Sequence, residues 1–586
     1  MNTILESTAS VSTDHLHHAI AEALERVPPL WPLEHFVAVN PFLGLVNKPF
    51  SEASAILRRT LGKAPVQTPQ EYLAAWQEGR ISADDLAHVS HGRWTALQLL
   101  EVLRSAVDQP LSRMVMSFAD LLDDTLPHAH WSGFIAEEIA KWCAVHYDRN
   151  QTTWNSPWRG MGLWTAWKSA AVHDRKPETF GLKGFRAFVR GLPDDANEVI
   201  AQCMGQMAPR GVKAEDFLHR QLSNIAGWAG YVRYLVREAE MRGRPDASLK
   251  ELLAIRLAYD AALHAAHQGD SQIVASWRSL RVKAECTELD EVLARWQSAY
   301  EAGYQRKLAN ALVEQPGGSA PARPPVQAVF CIDVRSEIVR RHLETALPGV
   351  QTLGFAGFFG FPVAHQKAHA CQPASRCPVL LVPPVVSREA RPATAERDKA
   401  ERGAWKAFQN SATSCFSFVE SYGLTFFADL LKRRGKGVVA EDPVPMMEGV
   451  SSEQLAGMAE GALRGMSLTG NFARLVMICG HGSHSANNPY ASSLDCGACG
   501  GHGGEVNARL AASTFNQPEV RKILAQRGIV IPEDTHFIAA RHDTLSDDFA
   551  MFDVSIVPAT HLNELAELEA ALERVGEKSR AERAAR

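Results

Sequence analysis

The chain has 586 residues, enough for a large buried core, and length alone suggests roughly three or four domain-sized units. Its formal net charge is −5, so composition gives no indication of nucleic-acid binding. Ten cysteines and no secretory signal at the N-terminus predict a reducing, cytoplasmic location. No apolar run approaches the ~20 residues that span a bilayer, so we expect any action at a membrane to need a partner or the protein's surface.

Residues 1–314 are predicted to be mainly helical, because apolar positions recur three and four residues apart. Helix start signals occur at 68–71 (Thr-Pro-Gln-Glu) and 82–85 (Ser-Ala-Asp-Asp). Long helices are expected over 247–267 and 285–313.

Residues 315–325 are rich in proline and glycine and predict a linker. In residues 326–572, short β-rich runs alternate with helical ones, which predicts an α/β domain with a mixed or parallel sheet covered by helices. The strands are expected at the run containing Cys331, at 350–355, 475–480, 536–540 and 552–557, with a helix over 336–346. Residues 573–586 form a charged tail without an apolar stripe, predicted to be a frayed helix or disordered.

Cys331 and Asp333 lie two residues apart at the end of the apolar run Ala328–Arg335. Alternation along a strand predicts that Cys331, Asp333 and Arg335 share one face. A thiolate and a carboxylate on one face, with a guanidinium to pair with the carboxylate, would form half of a zinc site. The alternative is a buried strand cysteine beside a surface or helix-capping aspartate. A carboxylate that an arginine can draw off the metal would admit water, which favours catalysis over a purely structural site.

The second apolar strand, Leu475–Gly480, leads into His481 and a glycine-rich loop that contains Cys496. His481 and Cys496 would complete a tetrahedral set of two thiolates, one imidazole and one carboxylate. Spacing alone leaves other donors open in this region, namely Cys479, His484, Cys499 and His502. The pair Cys496 and Cys499 also fits a zinc knuckle or a redox motif.

The pattern Cys-x-Asp-x-Arg followed distantly by His and Cys is similar to the active site of β-type carbonic anhydrases. His481 and Cys496 are further apart than the compact His-x-x-Cys of those enzymes. The chain resembles instead the DabA family, the soluble subunits of a two-component inorganic carbon transporter. The resemblance is carried by Trp31-Pro32-Leu33 with the following Phe36–Pro41, by Cys331–Glu337 and by Cys479–His484.

This resemblance implies a Zn²⁺ site with the ligands Cys331, Asp333, His481 and Cys496, in a sheet core resembling β-carbonic anhydrase. It leaves Cys499 a structural or supporting role. Asp333 and Arg335 are expected to be catalytic, since pairing of Asp333 with Arg335 would let water reach zinc and be acidified there, for the hydration of CO2 to bicarbonate.

The resemblance also implies a membrane subunit similar to the ion-translocating subunits of respiratory complex I (DabB-like). The chain would then be a peripheral protein on the cytoplasmic face of the cell inner membrane. Two other functions remain open: a stand-alone zinc carbonic anhydrase or hydrolase, and a zinc-stapled scaffold subunit whose four ligands stay closed.

Three further features have a functional and a structural interpretation. A second metal site would need His365, His369, Cys371 and Cys377, with the two histidines on one helix face. The run Gly354–Phe361 either lines an apolar pocket for an uncharged gas or packs in the core. The segment Leu424–Arg434 either docks on a membrane partner or anionic lipid, or is an ordinary amphipathic helix with a basic end.

Overall fold

The structure is a computed structural model of the chain. It describes residues 13–32, 40, 42–63, 65–107, 114–148, 156–209, 211–282, 287–313, 322–368, 370, 372–389, 395–411, 413–432, 443–485, 488 and 490–586. These residues form two compact units. The first lies within Met1–Trp31 and Val39–Gly317, and the second is drawn mainly from Gly318–Arg586.

The described part of the first unit is helical. Its helices are α1 Thr13–Glu25, α2 Phe50–Leu61, α3 Pro69–Gln77, α4 Ala83–Ser90, α5 Ala96–Ala106, α6 Phe118–Thr125, α7 Trp131–His146, α8 Leu163–Ala171, α9 Lys176–Phe180, α10 Phe185–Arg190, α11 Ala196–Met207, α12 Ala214–Ser223, α13 Ala226–Met241, α14 Ser248–Ala266, α15 Ser271–Ser279 and α16 Glu288–Val313. Thr68 and Ser82 each form a capping box at the start of α3 and α4, as their sequence signals indicate. Helix α14 is buried from Leu249 to Leu263 except for Lys250 and Glu251, because its apolar residues surround the helix instead of lining one side.

The second unit mixes strands and helices. Its strands are β1 Val326–Cys331, β2 Gln351–Phe355, β3 Val363–Gln366, β4 Ala374–Arg376, β5 Val385–Glu389, β6 Pro445–Met447, β7 Leu475–Gly482, β8 His536–Asp543 and β9 Phe549–Phe552. Its helices are α17 Val334–Ala346, α18 Ala395–Asn410, α19 Cys415–Lys432, α20 Ser452–Gly465, α21 Ala491–Leu494, α22 Glu505–Phe515, α23 Pro518–Gln526 and α24 Leu562–Ala585. The fold of the chain is therefore mixed α/β with a large helical N-terminal region, as predicted.

The main sheet of the second unit has the strand order β2-β1-β7-β8-β9. Its strands run parallel except β9, which pairs antiparallel with β8. Side chains of α20, α22 and α23 pack on one face, and those of α17 and α24 on the other. Because β1, β7 and β8 are parallel, their carboxyl ends meet at one edge of the sheet. A second sheet, of order β4-β3-β5-β6, is also mixed.

Two strands differ from the sequence-based expectation. The strand β1 ends at Cys331, since Asp333 caps the helix α17 that begins at Val334, so alternation does not extend to Arg335. The last strand is Phe549–Phe552, and residues 554–556 form a 3-10 turn instead of continuing it.

The end of the chain also differs. Residues 573–586 continue α24 to Ala585 and bury Val575, Gly576 and Ser579, so this segment is packed and not frayed. Within the described residues, no helix combines the length and the apolar character needed to cross a bilayer.

Candidate metal centre

Three metal-binding side chains converge at the carboxyl edge of the main sheet. Cys331 is the last residue of β1, His481 lies near the end of β7, and Cys496 follows α21. Donor atoms of the three residues lie within 4.8 Å of one another. All three residues are buried, with exposed fractions of 4%, 3% and 0%. The structure thus brings together residues that are up to 165 positions apart in sequence.

The distance between the two sulfurs fits one shared ion. Cys331 Sγ and Cys496 Sγ are 3.8 Å apart. Two thiolates at about 2.3 Å from a tetrahedral zinc ion would be separated by about 3.8 Å, whereas a disulfide requires about 2.05 Å. The third member, His481, has a buried Nδ1 atom without a hydrogen-bond partner. Two thiols and an imidazole are a donor set that zinc prefers, so the residues present fit this ion.

Gly357 forms one wall of the cluster. A Cβ atom placed on this residue would lie 2.5 Å from Cys496 Sγ and 2.8 Å from Cys331 Sγ. No side chain fits at that distance, so only glycine allows the backbone to approach both sulfurs. The sequence of Gly354–Phe361 does not indicate that the two thiols are the neighbours of this glycine.

Asp333 forms an ion pair with Arg335 beside this cluster. Asp333 Oδ1 accepts from Arg335 Nε at 2.7 Å and Oδ2 accepts from Nη2 at 2.8 Å. Asp333 Oδ1 also accepts from the Arg335 backbone N–H, and this bond caps α17. The same carboxylate lies 3.3 Å from His481 Nε2. Asp333 is therefore held by Arg335 and still touches a member of the cluster.

The electrostatics of the ion pair favour its charged form. Burial alone would raise the pKa of Asp333, but hydrogen bonds from the Arg335 side chain and backbone, with the nearby His481, lower it to about 2. The hydrogen bond with Asp333 in turn raises the pKa of Arg335. Both groups are thus charged at neutral pH.

The two thiols, in contrast to the ion pair, favour their uncharged form. The hydrogen bond with Cys496, and then burial, raise the pKa of Cys331. The contact with Cys331 lowers the pKa of Cys496, but Cys499 and burial outweigh it and hold that pKa well above its ordinary value. A buried pair of thiols becomes a pair of thiolates when a cation supplies the compensating charge, which is what metal binding does.

Arg335 also fixes the loop that carries Cys496. Its Nη1 donates to the Leu494 carbonyl at 2.9 Å, and its Nη2 lies 3.4 Å from the Asp495 carbonyl. Asp495 accepts from the Ser483 backbone N–H at 2.7 Å, which ties this loop to the end of β7. One arginine therefore contacts the carboxylate and the segment next to a thiol.

The other donors that spacing left open lie around the cluster and not in it. Cys499 packs beside Cys331 and Cys496, and its backbone N–H donates to the Cys496 carbonyl. His484 bonds to Asp543 and Arg541 instead. The remaining two are Cys479, buried in β7, and His502, whose carbonyl accepts from the Cys496 backbone N–H.

The second cluster suggested by sequence does not form a helix face. His365 lies in the strand β3, where its ring contacts Ser387 and Glu389. Cys377 contacts Ser375. His369 and Cys371 lie outside the described residues.

The two apolar segments are placed as follows. Phe359 and Phe361 are fully buried in the core, which favours a packing role over the lining of a pocket for an uncharged gas. Leu424 lies in α19 and is 88% exposed, while the side chains of residues 425–432 and all of residues 433 and 434 lie outside the described part.

Comparison with known proteins places the chain in a family. The family model described as probable inorganic carbon transporter subunit DabA matches residues 20–586. A relative from Bradyrhizobium sp. strain BTAi1, named probable inorganic carbon transporter subunit DabA 2, is 38% identical over 98% of this chain and 74% of its own length. Relatives named probable inorganic carbon transporter subunit DabA from Roseiflexus castenholzii and Chloroflexus aggregans are 38% and 37% identical, over 99% and 100% of this chain and 74% and 75% of theirs.

No solved structure gives a significant match, so the resemblance of the main sheet to β-carbonic anhydrase stays a prediction. The family resemblance, in contrast, is confirmed over nearly the whole length of the chain. The chain belongs to the DabA family, whose members are described as probable inorganic carbon transporter subunits.

Proposed function

We propose that this chain is the zinc-dependent subunit of a two-component, energy-coupled uptake system for inorganic carbon, and that it hydrates CO2 to bicarbonate. The observation that carries the proposal is the buried cluster of Cys331, His481 and Cys496 with the Asp333–Arg335 ion pair at 3.3 Å from its imidazole. The names of the relatives support a role in inorganic carbon uptake.

Cys331, His481 and Cys496 would hold the zinc ion. When bound, zinc supplies a Lewis acid that lowers the pKa of a water molecule to about 7, which yields a nucleophile for CO2 at neutral pH. These three residues would supply three of the four donors that zinc takes, and water would supply the fourth. Burial of all three residues keeps the site in a low-dielectric environment.

Arg335 would decide whether water or Asp333 supplies the fourth donor to zinc. While Arg335 holds both oxygens of Asp333, the carboxylate is occupied by two charge-assisted hydrogen bonds and would not compete with water for the ion. If Arg335 releases it, Asp333, whose Oδ2 lies 3.3 Å from His481 Nε2, would turn toward the cluster and become the fourth donor itself. The ion pair thus acts as a gate.

The partner would be a membrane subunit resembling the ion-translocating subunits of complex I, with this chain on the cytoplasmic face of the inner membrane as a peripheral protein. Hydration of CO2 releases a proton with each bicarbonate. A partner that controls the gate or removes that proton would make hydration directional.

The decisive experiment measures uptake of labelled inorganic carbon by cells that express the chain with its membrane partner, and zinc content on the same preparations. We expect Arg335→Ala to retain zinc and to lose uptake by about 10- to 100-fold, since it leaves the three donors intact and frees Asp333. Arg388→Ala is the matched control, because the side chain of Arg388 forms an exposed ion pair with Glu448. Cells that express this variant should take up carbon normally. Undiminished uptake by Arg335→Ala and Asp333→Ala would contradict a catalytic gate.

Three further results test the proposal against its alternatives. Asp333→Cys would keep function in a closed structural zinc site and abolish it in a gated one. High hydration activity of the isolated chain would indicate a stand-alone carbonic anhydrase. Uptake that persists after the ion gradient is dissipated would contradict energy coupling.

A further inference from the structure

The end of helix α24 reaches the residue that forms the gate. Arg583 Nη2 donates to the main-chain carbonyl of Arg335 at 2.6 Å. The side chain of Arg335 is held by Asp333 and by the Leu494 carbonyl, as described above. With the hydrogen bond from Arg583, the backbone of Arg335 is therefore held as well as its side chain.

Arg583 contacts the sheet edge at a second point. Its Nε donates to Asp547 Oδ2 at 2.8 Å. The other oxygen, Asp547 Oδ1, lies 2.8 Å from His542 Nε2. His542 and Asp547 are 1% and 2% exposed, so both contacts to Asp547 are shielded from water. His542 lies directly opposite His481 in the pairing of β7 with β8.

One guanidinium thus connects the start of α17 with the turn after β8. Both segments follow strands that carry or adjoin the metal-binding residues. Neighbouring residues of α24 reinforce the connection, because Glu582 binds Arg341 and His342 of α17. A Cβ atom on Gly576 would lie 2.6 Å from the Asp547 carbonyl, so the helix also packs tightly on this turn.

We propose that Arg583 is a positioning residue that holds the backbone of Arg335 in the register needed for its ion pair with Asp333. The inference rests on the proposed function for its catalytic consequence, but its structural part is independent of it. Arg335 makes its contacts with a fixed fork geometry, and a displacement of its backbone by a fraction of an ångström disturbs all of them together.

The test compares Arg583→Ala with Arg583→Lys and with Arg580→Ala in the full-length chain and in its complex with the membrane partner. Arg580 is the matched control, because it lies one turn earlier in α24 and binds the same turn through the Ser546 carbonyl and Asp548. These hydrogen bonds go to residues 546 and 548 and not to Arg335.

The first readout is hydrogen exchange of the segment 332–340, which does not depend on activity. We expect Arg583→Ala to accelerate it about tenfold, Arg583→Lys to restore part of the protection, and Arg580→Ala to leave it unchanged. Equal acceleration in Arg583→Ala and Arg580→Ala would overturn the proposal, since it would show only a general loosening of α24.

The second readout is carbon uptake with zinc content on the same cells. We expect Arg583→Ala to keep zinc and to reduce uptake by about 10- to 100-fold, with Arg580→Ala close to the unchanged chain. Normal uptake by Arg583→Ala, in cells where Arg335→Ala abolishes uptake, would overturn the positioning role and leave the proposed function intact. If Arg335→Ala is also fully active, the proposed function fails, and hydrogen exchange alone decides whether Arg583 positions Arg335.

Discussion

Gly357 is the residue whose substitution should damage the metal site most directly. In Gly357→Ala the added methyl group would lie 2.5 Å and 2.8 Å from the two sulfurs, closer than any real contact. We expect at least about tenfold weaker zinc binding, because the sulfurs cannot keep a separation of 3.8 Å. Competition with a chromophoric chelator measures the change.

Gly497→Ala is the control for this substitution. Gly497 is adjacent to Cys496, but a Cβ atom there meets nothing within 4 Å. This variant should bind zinc as the unchanged chain does. Equal zinc affinity of Gly357→Ala and the unchanged chain would show that the sulfurs can move away from the added methyl group. It would contradict the close approach of Gly357 to both sulfurs.

At the residue scale, the sequence indicated which side chains meet at the sheet edge better than it indicated how they are arranged there. Cys331, His481 and Cys496 do converge, because the ends of parallel strands meet at one edge. Strand alternation was the wrong basis for placing Arg335, since the chain turns into a helix at Asp333. The cap itself brings Arg335 back to the carboxylate, and the sequence of a short turn does not indicate this.

At the element scale, α12 carries a histidine that folding keeps neutral. Burial, with Arg26 and Arg220 nearby, lowers the pKa of His219 from 6.5 to about 3, although Asp216 acts in the opposite direction. Below pH 6.5 the unfolded chain therefore binds a proton that the folded chain does not. This contribution to stability is complete above pH 6.5 and is lost as the pH falls toward 3, about 2 kcal/mol of it by pH 5.

We expect His219→Gln to reduce the loss of stability between pH 7 and pH 5 by about that amount, since glutamine does not titrate. Urea unfolding followed by tryptophan fluorescence measures it in the first unit, because only Trp405 of the 13 tryptophans belongs to the second. Identical pH profiles of the two chains would show that His219 is accessible to protons in the folded state.

The helix α24 shows why the sequence of residues 573–586 does not predict their packing. Its buried side is built from Leu568, Leu572, Val575 and Ser579, spaced three or four residues apart, among many charged residues. Small residues such as Gly576 and Ser579 contribute little to an apolar stripe, yet they allow close packing on a neighbouring turn. The short strands of the second sheet escaped prediction for a related reason, since three to five residues give little periodicity.

At the scale of the whole molecule, the proposed zinc ligands all belong to the second unit. We expect removal of zinc by a chelator to accelerate hydrogen exchange in β1, β7 and α21 about tenfold, and to leave α14 of the first unit unchanged. His481→Ala is the control, because its exchange should not respond to the chelator. Equal acceleration in both units would contradict a site confined to the second.

The long interval between the two thiols has a consequence for biosynthesis. Cys331 is synthesised 165 residues before Cys496, and His481 comes late in that interval as well. The nascent chain therefore cannot assemble this donor set until β1 and β7 are both in place. Zinc would therefore be acquired only after Cys496 has been synthesised, from the exchangeable metal that the cell offers.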